Sequence, residues 1–204
     1  MGRLIVIQFI TLDGVVEDPD GSDQSAFGGW AMRHGPQGVA GDKFRLGTIL
    51  EQGTLVFGRR TWEHFSTLWP NRDDPFSRRM NAVPKLVVSR TRTDVSAWSH
   101  SRLTDRDPAD AVKQEERDVV VAGSPGVVHE LMRHDLIDEY RLLTFPTVLG
   151  TGRRLFPDGA APAYLETLSA EAAGAAVLSR YARTTASTAS TTPASASGRT
   201  TNDA

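Results

Sequence analysis

Three short stretches set glycine, hydroxyl and guanidinium groups at the ends of apolar runs: Gly58-Arg59-Arg60-Thr61 after TLVF, Ser89-Arg90 after LVV, and Gly123-Ser124 after VVVA. Glycine lets a backbone approach a ligand closely, arginine offers a planar fork matched to phosphate oxygens, and a helix start presents unpaired amides to an anion. Each stretch also has a plainer explanation. Thr61 and Ser124 are ordinary helix caps, Gly58 and Gly123 permit tight bends, and the arginines suit a solvated edge. Their coincidence at three strand ends supplies the inventory for a ligand that carries more than one phosphate.

Groups able to move a proton are fewer. Asp42 stands where a long loop gives way to an apolar helical pattern, and Asp13 closes the first apolar run beside Gly14. In a hydride transfer the cofactor brings the reducing equivalent, and the proton comes from water or Asp42, with Asp13 the second candidate. A helix cap and a turn residue are the alternatives for the two aspartates. Phe27 and Trp30 offer a pocket wall or lid over a flat ring, or else anchor their loop to the core.

Other chemistries find little support. The G-x-G-x-x-G fingerprint and the Walker A sequence are both missing. His129-Glu130 and His134 come close to a zinc-protease spacing, but five residues turn a helix by about 140°, so the two rings do not share a face. The remaining histidines, His34, His64 and His100, are scattered, and no metal site is expected. GSPGV lacks the glycine that a nucleophile elbow places two residues before its serine.

The elements that must position these groups alternate. Residues 4–10 form an apolar run with Gln8 its single polar insertion, which suits a strand buried on both faces. Residues 17–41 are a long loop rich in Gly, Asp, Pro and Ser. A helix is expected from Asp42 to Gly53, a strand over 54–57, a helix over 61–68, and then a loop through the Pro, Asn and Asp stretch. Residues 84–91 give a strand, 93–105 are ambiguous, 109–117 a charged helix, and 118–125 a strand. Pro125 suits the first turn of the next helix. A strand over 140–145 and an antiparallel pair over 164–170 and 176–183 complete the pattern. Alternation implies a covered, largely parallel sheet, with the last pair making it mixed. Residues 184–204, rich in Ser, Thr and Ala, have no apolar period and are expected to be disordered.

The totals agree with one domain over 1–183. The chain has 204 residues, 23 basic and 25 acidic, for a net charge of −2, so no global field selects nucleic acid. It has no cysteine, which removes thiolate catalysis and disulfides. The N-terminal apolar run reaches Asp13 too early to span a bilayer, so no membrane is expected and a cytoplasmic setting fits.

LDG at 12–14, GRRTWE at 58–63, KLVVSRT at 85–91, VVVAGS at 119–124 and LIDEYRLLTFPTVLGTGRRLF at 136–156 resemble, in that order, the dihydrofolate reductase-like family. The resemblance is to the reductase domain of the bacterial riboflavin biosynthesis deaminase-reductase, here without a deaminase domain. It implies an α/β fold of three layers around a mixed, mostly parallel sheet, a homodimer, and NADPH in the crevice. Gly58, Arg59, Arg60 and Thr61 then match the segment at the cofactor phosphates, Ser89 and Arg90 the segment near the 2′-phosphate, and Gly123 and Ser124 the turn beside the pyrophosphate. Asp42 precedes Gly58 at a spacing similar to that of the acidic substrate residue of dihydrofolate reductases. Phosphorylated cofactor is favoured because no carboxylate adjoins Ser89-Arg90 before Asp94. The expected activity is hydride transfer from NADPH to a small heterocyclic or carbonyl-like acceptor. The alternative is a non-catalytic protein of the same fold that binds a nucleotide or pterin-like ligand.

Overall fold

The computed structural model describes residues 2–184, so the expectation for the Ser/Thr/Ala-rich tail falls outside the described residues but for Thr184. Eight strands form one sheet: β1 (Leu4–Thr11), β2 (Thr54–Gly58), β3 (Lys85–Val88), β4 (Ser101–Thr104), β5 (Val119–Val121), β6 (Glu139–Phe145), β7 (Leu165–Ala173) and β8 (Ala176–Arg183). Their order is β4-β3-β2-β5-β1-β6-β8-β7. The first six run parallel, β8 is antiparallel to β6, and β7 pairs antiparallel with β8. Parallel strands joined by crossovers need cover on both faces, which is why TLVF, KLVV and VVV are continuous apolar runs.

Five helices supply that cover: α1 (Thr48–Gln52), α2 (Arg59–Leu68), α3 (Pro75–Ala82), α4 (Pro108–Lys113) and α5 (Pro125–Arg133). On one face Ala111, Val112, Val127, Val128 and Leu131 of α4 and α5 pack on Val6, Ile10, Val56 and Val121. On the other, Leu50, Trp62 and Met80 of α1, α2 and α3 pack on Leu55, Phe57, Val87 and Val120. The result is an α/β fold of three layers around a mixed, mostly parallel sheet.

Local chemistry explains where the elements depart from the sequence pattern. Asp42 does not open a helix. Its carboxylate accepts from the amides of Leu46 (2.9 Å) and Gly47 (2.8 Å), and α1 begins only at Thr48. Thr61 is not a cap either, because α2 starts two residues earlier behind an extended Gly58. Residues 75–82, expected as loop, are helical: Asp74 accepts from the amides of Phe76 and Ser77, and Pro75 takes the first helical position. The ambiguous stretch contains β4, an edge strand. The helix expected over 109–117 is shorter, opening at Pro108 behind Asp107 and closing at Lys113.

The long loop over 17–41 is tied down at several points. Asp18 is buried and its carboxylate accepts from the amides of Asp23 and Ser25, both at 2.9 Å. The Trp30 ring is 1% exposed, donates to Glu17 O at 2.8 Å and meets Phe145 edge-on at 5.6 Å.

Candidate functional site

The carboxyl ends of β1, β2, β3 and β5 lie side by side, and the sequence makes that edge unusually bare. Val56, Val121 and Val6 stand in register across β2, β5 and β1. Two residues further on, the same row is Gly58, Gly123 and Gln8, and the Gly58 amide donates to Gly123 O at 3.1 Å. Gly123 has φ 117°, a conformation that glycine tolerates and side chains do not, and the peptide joining it to Ser124 is cis. A Cβ on Gly58 would lie 2.6 Å from Ser124 Oγ and 3.2 Å from Val127 Cγ2, so α5 meets the sheet through a missing side chain.

Two helices aim their N-termini at this row. Ser124 is the N-cap residue of α5, yet its hydroxyl makes no capping bond and instead meets Thr61 Oγ1 at 3.0 Å. Gly58 has no side chain with which to cap α2. The Gly58–Val88 register gives the Arg59 amide to the β3 ladder, while among the described residues the amides of Arg60, Thr61 and Gly126 have no protein partner. Unpaired first-turn amides and the positive end of the helix dipole together favour an anion.

The arginines divide into engaged and free. Arg59 pairs with Glu63 one turn along at 3.0 Å. Arg60 and Arg90 are exposed and form no ion pair among the described residues. Ser89 Oγ accepts from the amides of Thr91 (3.2 Å) and Arg92 (3.0 Å), building the turn on which Arg90 stands. Arg92 was not among the sequence candidates. It stacks over Trp62 at 4.7 Å and reaches Glu63 at 3.0 Å, and its one signal was the alternation Arg90-Thr91-Arg92.

Both candidate carboxylates are occupied by the protein itself. Asp13 accepts from Thr11 Oγ1 (2.6 Å) and the amides of Gly150 (2.7 Å) and Leu149 (3.2 Å), clasping the turn after β1 to the loop after β6. The Thr11 hydroxyl, then the Gly150 amide, hold its carboxyl down at about 2, so at neutral pH it has no proton to give. Asp42 has an oxygen on each of two amides.

The aromatic candidates are separated. Trp30 is a core anchor, while Phe27, 53% exposed, lines a cavity of about 160 Å³ with Val15, Glu17, Leu149 and Gly152. That cavity shares no residue with the glycine row and is too small for a dinucleotide. His129 and His134 serve structure: His129 Nε2 sits 3.1 Å from the carbonyls of Arg154 and Leu155, and His134 meets Glu130 at 3.2 Å. Gln8 was missed as a site residue. It stood out in sequence as the polar insertion in an apolar strand, but only the pairing of β1 with β5 sets it beside Gly123.

A family model described as the RibD C-terminal domain matches residues 3–179. The Bacillus subtilis (strain 168) protein named uncharacterized protein YwjB is 27% identical over 177 residues, covering 85% of this chain and 94% of the relative. Uncharacterized protein YyaP of the same organism is 24% identical over 164 residues, covering 76% of this chain and 81% of the relative. A structure from Shewanella sp. PV-4, named for riboflavin biosynthesis, superposes with a TM-score of 0.67 at 22% identity, covering 89% of this chain and 98% of that one. At such identity the structural likeness speaks to the fold.

Proposed function

Because the chain belongs to the RibD C-terminal domain family, we propose that it is a reductase that uses NADPH to reduce a small heterocyclic or carbonyl-like acceptor. The observation that carries this reading is the pair of uncapped helix N-termini, α2 and α5, converging on Gly58 and Gly123. First-turn amides of both helices would hold the pyrophosphate, with Arg60 and the Thr61 and Ser124 hydroxyls beside it. Arg90, carried outward by the Ser89 turn, would take the 2′-phosphate. When bound, the nicotinamide supplies the hydride. Since Asp13 and Asp42 are committed to backbone amides, the proton for the reduced acceptor comes from water. A cytoplasmic homodimer belongs to the same reading, with exposed Tyr164, Leu168 and Val177 on the β7 and β8 segment as its apolar surface.

That commitment of both carboxylates also favours a second reading, a protein that binds the nucleotide without turnover. Two measurements separate the possibilities. Titration with NADPH and with NADH, followed by tryptophan quenching, should saturate at a lower concentration for NADPH; no binding of either at millimolar concentration would sink both readings. Loss of NADPH absorbance in the presence of pterin, pyrimidine and simple carbonyl acceptors would distinguish turnover from binding alone.

A further inference from the structure

Gln8 is left unexplained by the anion site. It is 8% exposed, and its Nε2 has no hydrogen-bond partner among the described residues. Its neighbours on the same face of β1, Val6 and Ile10, are core residues packed under α5. An unsatisfied buried amide is costly, and an apolar side chain of the same length would avoid the cost. Gly123 and Gly58 continue the row without side chains, and Gln8 Nε2 lies 3.8 Å from the place a Gly123 Cβ would take, with Thr61 Oγ1 at 3.0 Å from that same point. Thr61 and Ser124 share a single hydrogen bond at 3.0 Å. Gln8 Nε2 has no partner at all among the described residues and is left waiting for an acceptor.

The order of the strands says which part of a ligand it would meet. Across the sheet the strands run β3, β2, β5, β1. Ser89 and Arg90 follow β3, the phosphate amides follow β2 and β5, and Gln8 is on β1, on the far side of the phosphates from Arg90. Building on the proposed cofactor reading, we infer that Gln8 reads the nicotinamide riboside half of NADPH, its carboxamide donating to a hydroxyl or carbonyl oxygen there. The amide costs the free protein stability, and the bound ligand supplies the missing acceptor.

The test replaces Gln8→Leu, with Gln8→Met as the unbranched control, and measures three things: melting temperature without ligand, affinity for NADPH, and affinity for adenosine 2′,5′-bisphosphate, which lacks the nicotinamide riboside. The expected result is a melting temperature equal to or above that of the wild type, NADPH bound roughly tenfold more weakly, and the bisphosphate bound as before. Wild-type affinity for NADPH in both variants overturns the role of Gln8 and leaves the cofactor reading standing. Lowered melting with equal losses for both ligands makes Gln8 structural and also overturns it. A wild-type protein that binds neither compound refutes the cofactor reading, and the inference falls with it.

Discussion

The two ends of the parallel sheet are built to opposite rules. At the end where the strands begin, polar groups are paired. Arg3 meets Asp118 at 2.8 Å, Glu139 is held by Arg141 (2.8 Å) and Arg180 (2.9 Å), and Glu115 binds both Thr54 and Arg102. Lys85 is fully buried there, with its ammonium on the carbonyls of Asn81, Val83 and Ser99 and 4.5 Å from the Trp98 ring. At the end where β1, β2 and β5 finish, first-turn amides, the Gln8 amide and two arginines lack protein partners among the described residues. A helix end left without partners is normally a defect, and among the described residues the unpaired first-turn amides of α2 and α5 gather on this one edge, while Trp69 Nε1 at the far end of α2 is an unpartnered donor on the other. The difference teaches that the pairing that stabilises the sheet is concentrated at one end of the strands, and that the unpaired first-turn donors stand at the other, where the proposed ligand would sit.

The sharpest way to break that contrast is Glu139→Gln. Arg141 is 2% exposed, and losing its carboxylate partner leaves a buried cation. A loss of about 3–5 kcal/mol is expected from urea unfolding, with nucleotide affinity unchanged. Burial alone would raise the Glu139 carboxyl, but the bonds from Arg141 and Arg180 outweigh it and hold the group below its ordinary range. Its contribution is therefore present above the carboxylate range of the unfolded chain and lost as pH falls through the lower folded value. The wild type should lose stability across that acid window while Glu139→Gln shows a smaller change.

Gly58→Ala attacks the other end. The backbone there has an ordinary negative φ, so the penalty comes from the contact between the new methyl and Ser124. The expected cost is about 1–3 kcal/mol, with NADPH binding weakened as α5 is pushed off β2. Unchanged melting and unchanged binding would show that the close approach at Gly58 serves neither packing nor ligand.

How much of this was legible beforehand differs between the two ends in a physical way. Continuous apolar runs announced the parallel strands because burial on both faces leaves no alternation to misread. The glycine, hydroxyl and arginine positions at the strand ends were visible for the same reason, since the runs stop there. Asp42 misled because a capping residue and a residue that folds a turn onto its own amides look alike in sequence; positive φ at Arg45 and Gly47 decides between them. The helix over 75–82 hid behind Asn and Asp that read as loop, although Asp74-Pro75 is a sound helix start. Gln8 and the Glu139 network depend on which strands become neighbours, which no local spacing encodes.

Lys85 sharpens the comparison from the stable end. Desolvation pulls its ammonium down to about 7, while the unfolded chain titrates near 10.4. Between those values the unfolded state binds more protons, so stability should rise with pH, by at most about 1.4 kcal/mol per pH unit and by less where the three carbonyls stabilise the charge. Lys85→Met should flatten that slope in urea melts taken across the window. Parallel slopes in the two proteins would mean the carbonyl cage keeps the ammonium charged throughout.

The smallest effect on the fold belongs to Arg90→Ala, and it isolates the end proposed to bind the cofactor. Arg90 is exposed and bonds nothing among the described residues, so its removal should change stability by less than about 0.5 kcal/mol. A charge-assisted bond to phosphate is stronger than a neutral one, and NADH has no 2′-phosphate to lose it from. NADPH affinity should therefore fall on the order of tenfold while NADH affinity holds, and added salt should narrow the gap between wild type and variant. Equal losses for both cofactors would put Arg90 on a group they share, and the preference for NADPH would have to come from elsewhere on that edge.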